Sequence, residues 1–165
     1  PASFHTANVF TGTTVALDDD FQTDQGWTTS IVGATTGAWQ RGVPVTGSGS
    51  SYDPNSDGDG SGSCYVTENV DANSDVDNGW VTLTSPNFDM TGGADVSYLY
   101  YLNLTNDDGT DRLLVEMNSS GGAGAWTSVA THTTNGGNSW RTHTIPSAVM
   151  GVGATKRDVQ PIAQR

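Results

Sequence analysis

Short runs of β-branched and aromatic residues recur along this chain, and turn-forming pairs such as Asp-Gly, Asn-Gly and Gly-Gly separate them. The clearest run, at 96–104, is long and aromatic, as in a central strand. Runs of this length between strong breakers are typical of an antiparallel β-sandwich. We predict strands near 7–17, 26–32, 37–41, 64–68, 80–84, 96–104, 112–118, 125–131 and 139–145. At most one helical turn is expected, within 147–152.

Composition supports the same fold class. The 165 residues fit one domain that is large enough for a hydrophobic core. Residues that favour helices are scarce, because Lys occurs once and Glu only twice. Five Trp and five Tyr argue against a disordered chain, which has no core in which to bury them. The sequence therefore predicts an all-β fold.

Sixteen of the eighteen acidic residues are Asp, and the net charge is −12. Nucleic acid is excluded as a partner because there is no Lys/Arg patch to bind phosphate. Insertion into a membrane is not expected, since no stretch of about 18 apolar residues occurs. The sequence starts at Pro1 without a signal peptide, which we interpret as a mature or excised fragment of an exported protein. We therefore expect a secreted, extracellular location.

Most of the Asp residues lie in Gly- and Asn-rich turns, where a short carboxylate can bond the local backbone or bind a hard cation. Residues 53–60 match the first six positions of a calcium loop. Position 12 would fall on Cys64 instead of Glu, which excludes an EF-hand. A looser calcium loop and a solvated polar turn both remain open. Further Asp clusters occur at 18–24, 71–79 and 106–111.

No catalytic residue can be nominated from the sequence, and we expect a non-enzyme. His5, His132 and His143 are scattered and lack zinc-binding spacing. Glu68 and Glu116, the only Glu residues, lie in strand-like runs and are best explained as solvent-facing. The lone Cys is expected to be buried. The five Trp are either core residues or a platform for sugar rings. The polar loop 46–63 is long enough to be functional or ordered by a metal.

The order of several motifs resembles a known family. The resemblance covers about residues 18–145 and includes an Asp-rich start that ends in Phe21 and Gly-Trp27, followed by Gly-Ala-Trp-Gln-Arg-Gly at 37–42. Leu-Thr-Ser-Pro-Asn-Phe-Asp at 83–89 and the aromatic run from Val96 come next. Together they resemble the jelly-roll accessory domains of secreted bacterial proteins, which often follow exported peptidases. The same order is similar to the MAM adhesion domain.

This resemblance implies a two-sheet antiparallel β-sandwich of jelly-roll type, at 18–146, between an N-terminal extension, 1–17, and a C-terminal segment, 147–165. It also implies a structural Ca²⁺ near the first strand. The function implied is non-catalytic adhesion or accessory binding to protein or glycan at the cell surface. The candidate calcium ligands are Asp18, Asp20, Asp24, Asp53, Asn55, Asp57, Asp59, Asp75 and Asp77.

Two features depart from the family pattern. The strand-like segment 6–17 precedes the family-like start and has no assigned place. Residues 151–165 form a poor strand, and we expect Pro161 to interrupt it. These features suggest an alternative function, in which the N-terminal segment adds a strand to a neighbouring subunit and the protein is a structural subunit of an extracellular filament.

Overall fold

The computed structural model describes residues 2–5, 15–72, 74–104, 107, 109–150 and 158–164, with the backbone alone for 2–5 and 158–164. The strands are β1 (Ala2–His5), β2 (Asp18–Asp19), β3 (Thr28–Val32), β4 (Trp39–Gly42), β5 (Cys64–Thr67), β6 (Trp80–Thr84), β7 (Val96–Tyr101), β8 (Arg112–Asn118), β9 (Thr127–His132), β10 (Trp140–Ile145) and β11 (Asp158–Gln164). One helical turn, α1 (Ser147–Met150), follows β10.

The strands form three antiparallel sheets. The four-stranded sheet has the order β10-β7-β1-β2, the five-stranded sheet has the order β3-β6-β11-β8-β9, and β4 pairs with β5. The prediction of an all-β antiparallel sandwich is confirmed, as is the single helical turn. Eight of the nine predicted strands occur within a few residues of their expected bounds. Most of the ninth, 7–17, lies outside the described residues.

Alternation of side chains builds the core between the sheets. On β7, Val96, Tyr98 and Tyr100 are buried, whereas Ser97 and Leu99 are partly exposed. Because successive side chains on a strand point to opposite faces, one face of β7 is apolar and turned inward. These residues pack in a single cluster with buried residues of all three sheets, including Trp39, Tyr65, Val81, Leu83, Leu113, Val115 and Ile145.

The first and the last strand in chain order lie inside the two large sheets. β1 pairs with β7 on one side and with β2 on the other, within its own chain. β11 lies between β6 and β8. The prediction that Pro161 would interrupt the C-terminal segment is therefore wrong. Pro161 is tolerated because pairing with β6 starts only at Ile162, so that Pro161 has a strand partner, Val115, on one side alone.

A buried carboxylate organises the turn after β2. Asp19 is 0% exposed, and it accepts hydrogen bonds from the backbone N–H of Phe21 at 2.8 Å and from the indole Nε1 of Trp27 at 2.7 Å. Phe21 has a φ of 60°, a left-handed conformation that is uncommon for a large side chain. Its ring packs edge-on against Trp27 and against Tyr65 of β5, at 5.3 Å between centroids in each case. The turn thereby connects β2 to the core.

We expect Asp19→Asn to lower the free energy of unfolding by about 2–3 kcal/mol, because an amide NH₂ would replace one of two buried oxygens that accept hydrogen bonds. Thermal unfolding measures this change. Asp20→Asn is the matched control. The exposed Asp20 carboxylate accepts the backbone N–H of Gln22, and an Asn oxygen can accept the same bond. Equal melting temperatures for the two variants would contradict this role of Asp19.

Candidate functional site

The loop between β4 and β5, residues 43–63, is ordered by the protein's own hydrogen bonds. Asp57 is 7% exposed, and its carboxylate accepts bonds from the N–H groups of Asp59 at 3.0 Å and Gly62 at 2.6 Å and from the Ser61 hydroxyl at 2.9 Å. Desolvation alone would raise the pKa of Asp57. The hydrogen bonds from Gly62, Asp59 and Ser61 outweigh it and hold that pKa below its usual value. Asp57 is therefore a charged organiser of this loop.

Aromatic side chains of the four-stranded sheet fix the same loop. The Tyr101 hydroxyl donates to the carbonyl of Asp53 at 3.2 Å, and Nε1 of Trp140 donates to the carbonyl of Ser56 at 2.9 Å. Gly58 lies so close to the Trp140 ring that an added Cβ would come within 2.6 Å of it. Gly at this position is thus required by close packing.

The segment after β5 supports the other half of the loop. The side chain of Asn69 accepts the N–H of Val45 at 2.8 Å and donates to the carbonyl of Val43 at 2.9 Å. The Asp71 carboxylate accepts the N–H of Gly49 at 2.8 Å. We call residues 43–53 and 68–72 together the loop surface. Side-chain bonds to backbone groups hold its two segments against each other.

Apolar side chains are exposed on this otherwise polar surface. Seven large apolar residues are exposed in the described chain, and three of them, Val43 at 66%, Tyr52 at 57% and Val70 at 36%, belong to the loop surface. Ser50 and Pro54 are buried on either side of Tyr52. The loop therefore presents an aromatic ring to solvent from a fixed backbone, an arrangement that suits recognition.

Four of the nine candidate calcium ligands, Asp20, Asp24, Asp57 and Asp59, act as turn formers. In seven turns the Oδ1 atom of an Asp accepts the N–H of the residue two positions ahead, and these residues are Asp19, Asp20, Asp24, Asp57, Asp59, Asp89 and Asp107. Such bonds replace a backbone turn bond and explain why Asp is preferred over Glu here. Asp18 and Asn55 are exposed.

The structure brings together two of the predicted clusters. The hydroxyl of Ser61 lies 3.1 Å from the carbonyl oxygen of Asp20 and 2.9 Å from the carboxylate of Asp57, and Nε2 of Gln22 is 3.0 Å from the same hydroxyl. These oxygens suit calcium in type but are fewer than the six to eight that it takes. In the described part of the chain, no three His, Cys, Asp or Glu side chains are grouped to hold a metal. The calcium site stays a prediction.

Three further candidate ligands, Asp53, Asp75 and Asp77, make contacts away from this junction. The Ser74 hydroxyl donates to Asp53 at 2.5 Å, and burial raises the pKa of Asp53 despite this bond. The carbonyl of Asp75 accepts the Thr36 hydroxyl at 2.8 Å, and the N–H of Asp77 donates to the same hydroxyl at 3.2 Å. The contacts of Asp75 and Asp77 are therefore with the segment before β4.

Other residues singled out from the sequence have structural roles. Cys64 is buried, as predicted, and burial raises its pKa to about 11. Glu68, expected to face solvent, is instead partly buried, and its carboxylate accepts the N–H of Gly37 at 2.7 Å. Glu116 is also partly buried, which raises its pKa. The prediction that both Glu side chains face solvent is therefore wrong.

The Trp residues divide into two groups. Trp27 and Trp39 are core residues, as the first of the two interpretations predicted. The other three, Trp80, Trp126 and Trp140, are partly exposed. The guanidinium carbon of Arg112 lies 5.5 Å from the centre of the Trp80 ring, a cation–π arrangement. Trp140 packs edge-on against Tyr101. Each of these two rings thus already has a partner on its own domain.

Sequence reasoning missed a buried cluster of aromatic and imidazole rings. His132 of β9 and His143 of β10, which are distant in sequence, lie with ring centroids 4.9 Å apart. His132 stacks on Tyr100 at 4.0 Å, and its Nε2 is 2.8 Å from the Tyr98 hydroxyl. The observed strand register places His143 opposite Tyr98, and no local signal in the sequence indicates this pairing. The cluster joins an edge strand of the five-stranded sheet to the four-stranded sheet.

Burial, together with the nearby His143 and Arg141, lowers the pKa of His132 to about 4, and burial raises the pKa of Tyr98. At neutral pH the imidazole is therefore neutral, and its Nε2 shares a hydrogen bond with the Tyr98 hydroxyl. A base this weak is suited to packing more than to proton transfer at pH 7.

No family model, curated protein or solved structure was found to match this chain. Within the described residues, no helix has the length and apolar character needed to span a membrane.

We expect protein stability to fall as the pH drops from about 6.5 to 4. The pKa of His132 is lower in the folded than in the unfolded chain, so the unfolded chain takes up a proton first as the pH falls. The stabilisation from the neutral imidazole is therefore complete above the unfolded pKa. It is lost as the pH falls from there through the folded pKa. The loss is up to about 3 kcal/mol. Thermal melts of the wild type and of His132→Gln across this range measure it, and the difference between them should shrink toward pH 4. A constant difference would contradict this assignment.

Proposed function

We propose that this chain is a non-catalytic, secreted β-sandwich module that mediates adhesion or accessory binding of protein or glycan at the cell surface. The observation that carries the proposal is the loop surface, in which Tyr52 is 57% exposed between two buried residues. Recognition sites are commonly carried on loops that a rigid scaffold positions. A jelly-roll connectivity is part of this proposal.

The loop surface combines features of a binding site. Tyr52 offers a large contact area at a low cost in conformational entropy, because it has only two side-chain torsions. Val43 and Val70 adjoin the two ends of the Asn69 bridge, so that two further apolar groups are held at fixed positions. Gly and Ser residues flank Tyr52 in the sequence and supply backbone groups for hydrogen bonding. Exposed apolar side chains set among polar residues are typical of protein interfaces.

Charge limits the kind of ligand. Eighteen acidic against six basic side chains disfavour anionic ligands and favour neutral glycans or basic protein surfaces. The loop surface itself carries Asp53, Glu68 and Asp71, each of which already accepts a hydrogen bond from within the protein. Those bonds fix the loop, and the free edge of the surface is left to Tyr52 and the two Val side chains.

Calcium stabilisation is the second part of the proposal. It rests on the convergence of the Asp20 carbonyl, the Asp57 carboxylate and the Ser61 hydroxyl, which joins the turn after β2 to the loop. Calcium there would offset the repulsion among the neighbouring Asp residues and strengthen this junction. The bound ion would be structural.

We expect Tyr52→Ala to reduce binding of the purified chain to a cell surface or a glycan array by at least about tenfold, as is usual for an exposed aromatic anchor. The melting temperature should not change, because the ring is exposed. Val149→Ala, which alters an equally exposed apolar residue on α1, is the matched control. The loop surface is the wrong site if both variants bind equally well, and the adhesion proposal fails if the wild type binds to neither target.

With calcium at about 2 mM, a site with a dissociation constant near 10⁻⁴ M would add about 2 kcal/mol to the free energy of unfolding. Thermal melts in calcium and in EDTA measure this difference. Asp57→Asn should abolish the calcium response, whereas Asp89→Asn, which alters an Asp with the same turn bond away from the junction, should keep it. Identical melts in calcium and EDTA would refute calcium binding.

A further inference from the structure

The edge strand β3 is exposed along its whole length. All five residues from Thr28 to Val32 are exposed, and Ile31 and Val32 expose 51% and 62% of their surface. β3 pairs only with β6 among the described strands, in a regular register. Its outer edge therefore presents a row of backbone N–H and C=O groups, with an uncovered side chain at every position.

The other outer strands of the two large sheets are protected against edge pairing. β2 is two residues long and both are Asp. β10 carries Arg141 and His143. The pairing of β9 with β8 is irregular, because its register shifts between Val115 and Glu116 of β8. Short length, charge and bulges are the devices by which proteins block the edges of their sheets. β3 has none of them and consists of Thr, Thr, Ser, Ile and Val.

We propose that β3 pairs with β3 of a second copy of this chain, antiparallel and across a two-fold axis, so that the two five-stranded sheets become one continuous sheet. This inference goes beyond the proposed function and uses a strand outside the loop surface. With Ser30 on the axis, Thr28 lies opposite Val32 of the second copy and Thr29 lies opposite Ile31. Cross-strand pairs of β-branched residues of this kind stabilise antiparallel sheets.

Charge favours a second copy over a foreign partner at this edge. Two copies with a net charge of −12 each repel one another, and they can approach most closely where no acidic residue lies. Residues 25–40, which contain β3, have no charged side chain. The segment therefore offers no charge by which a foreign strand would be selected. In a two-fold pairing, each β-branched residue of β3 at 28, 29, 31 and 32 lies opposite another β-branched residue of the second copy. A contact of this type closes on itself and stops at the dimer.

Sedimentation or light scattering of the full chain from about 10 µM to 1 mM tests the proposal, because a contact confined to one strand is small and its affinity is in this range. We expect twice the mass of 17.2 kDa at the upper concentrations. Because salt screens the repulsion between the copies, raising NaCl should strengthen the dimer. A chain that stays monomeric up to about 1 mM overturns the proposal.

Substitutions test the register. Ser30→Lys places two lysines opposite each other on the axis, and the dimer should be lost. Thr28→Lys with Val32→Lys repels across both symmetric pairs, whereas Thr28→Lys with Val32→Glu attracts across the same two pairs and should retain the dimer. All these positions are exposed, so the melting temperature is the control for folding. A dimer that survives Ser30→Lys, or equal dissociation of the two double variants, overturns this pairing.

Discussion

The buried carboxylate of Asp19 is the interaction on which the arrangement of the sheets depends. It belongs to β2 in the four-stranded sheet, and it orients Phe21 and Trp27 in the core. Tyr65 of the two-stranded sheet packs against both rings, and Arg41 of the same sheet donates to the carbonyl of Phe21 at 3.0 Å. One buried carboxyl group thus links the two sheets where they meet. Its two hydrogen bonds compensate the cost of burying its polar oxygens.

The acidity of the chain is mainly a matter of local backbone structure. An Asp carboxylate at a turn satisfies an N–H group that would otherwise need water, and the charge is left near the surface. The same residues give the chain its net charge of −12, which restricts the surfaces that can approach another copy. The uncharged segment with β3 stands apart from this pattern, and it is therefore informative about binding.

The sequence predicted those strands well that alternate polar and apolar residues between turn-forming residues. The runs at 80–84 and 112–118 were predicted with their observed bounds, because alternation and flanking Gly mark both. β11 was missed because Pro161 argues against a strand. Only the observed pairing shows that Pro161 lies opposite a residue of β8 and that pairing with β6 begins at Ile162. Turn chemistry identified the Asp clusters but not which carboxylate is buried. The cluster of His132 with His143 could not be predicted, since it depends on the packing of one sheet on the other.

The position of β11 has a consequence for the order in which the chain folds. It is the last of the described strands in chain order, and among these strands β6 and β8 are connected through it alone. During synthesis, β6 and β8 must therefore wait with unpaired edges until residues 158–164 have left the ribosome. Contacts so distant in sequence slow folding and lengthen the time during which strand edges are open to aggregation. The largest sheet of this fold is therefore completed by the strand that is translated last among those described.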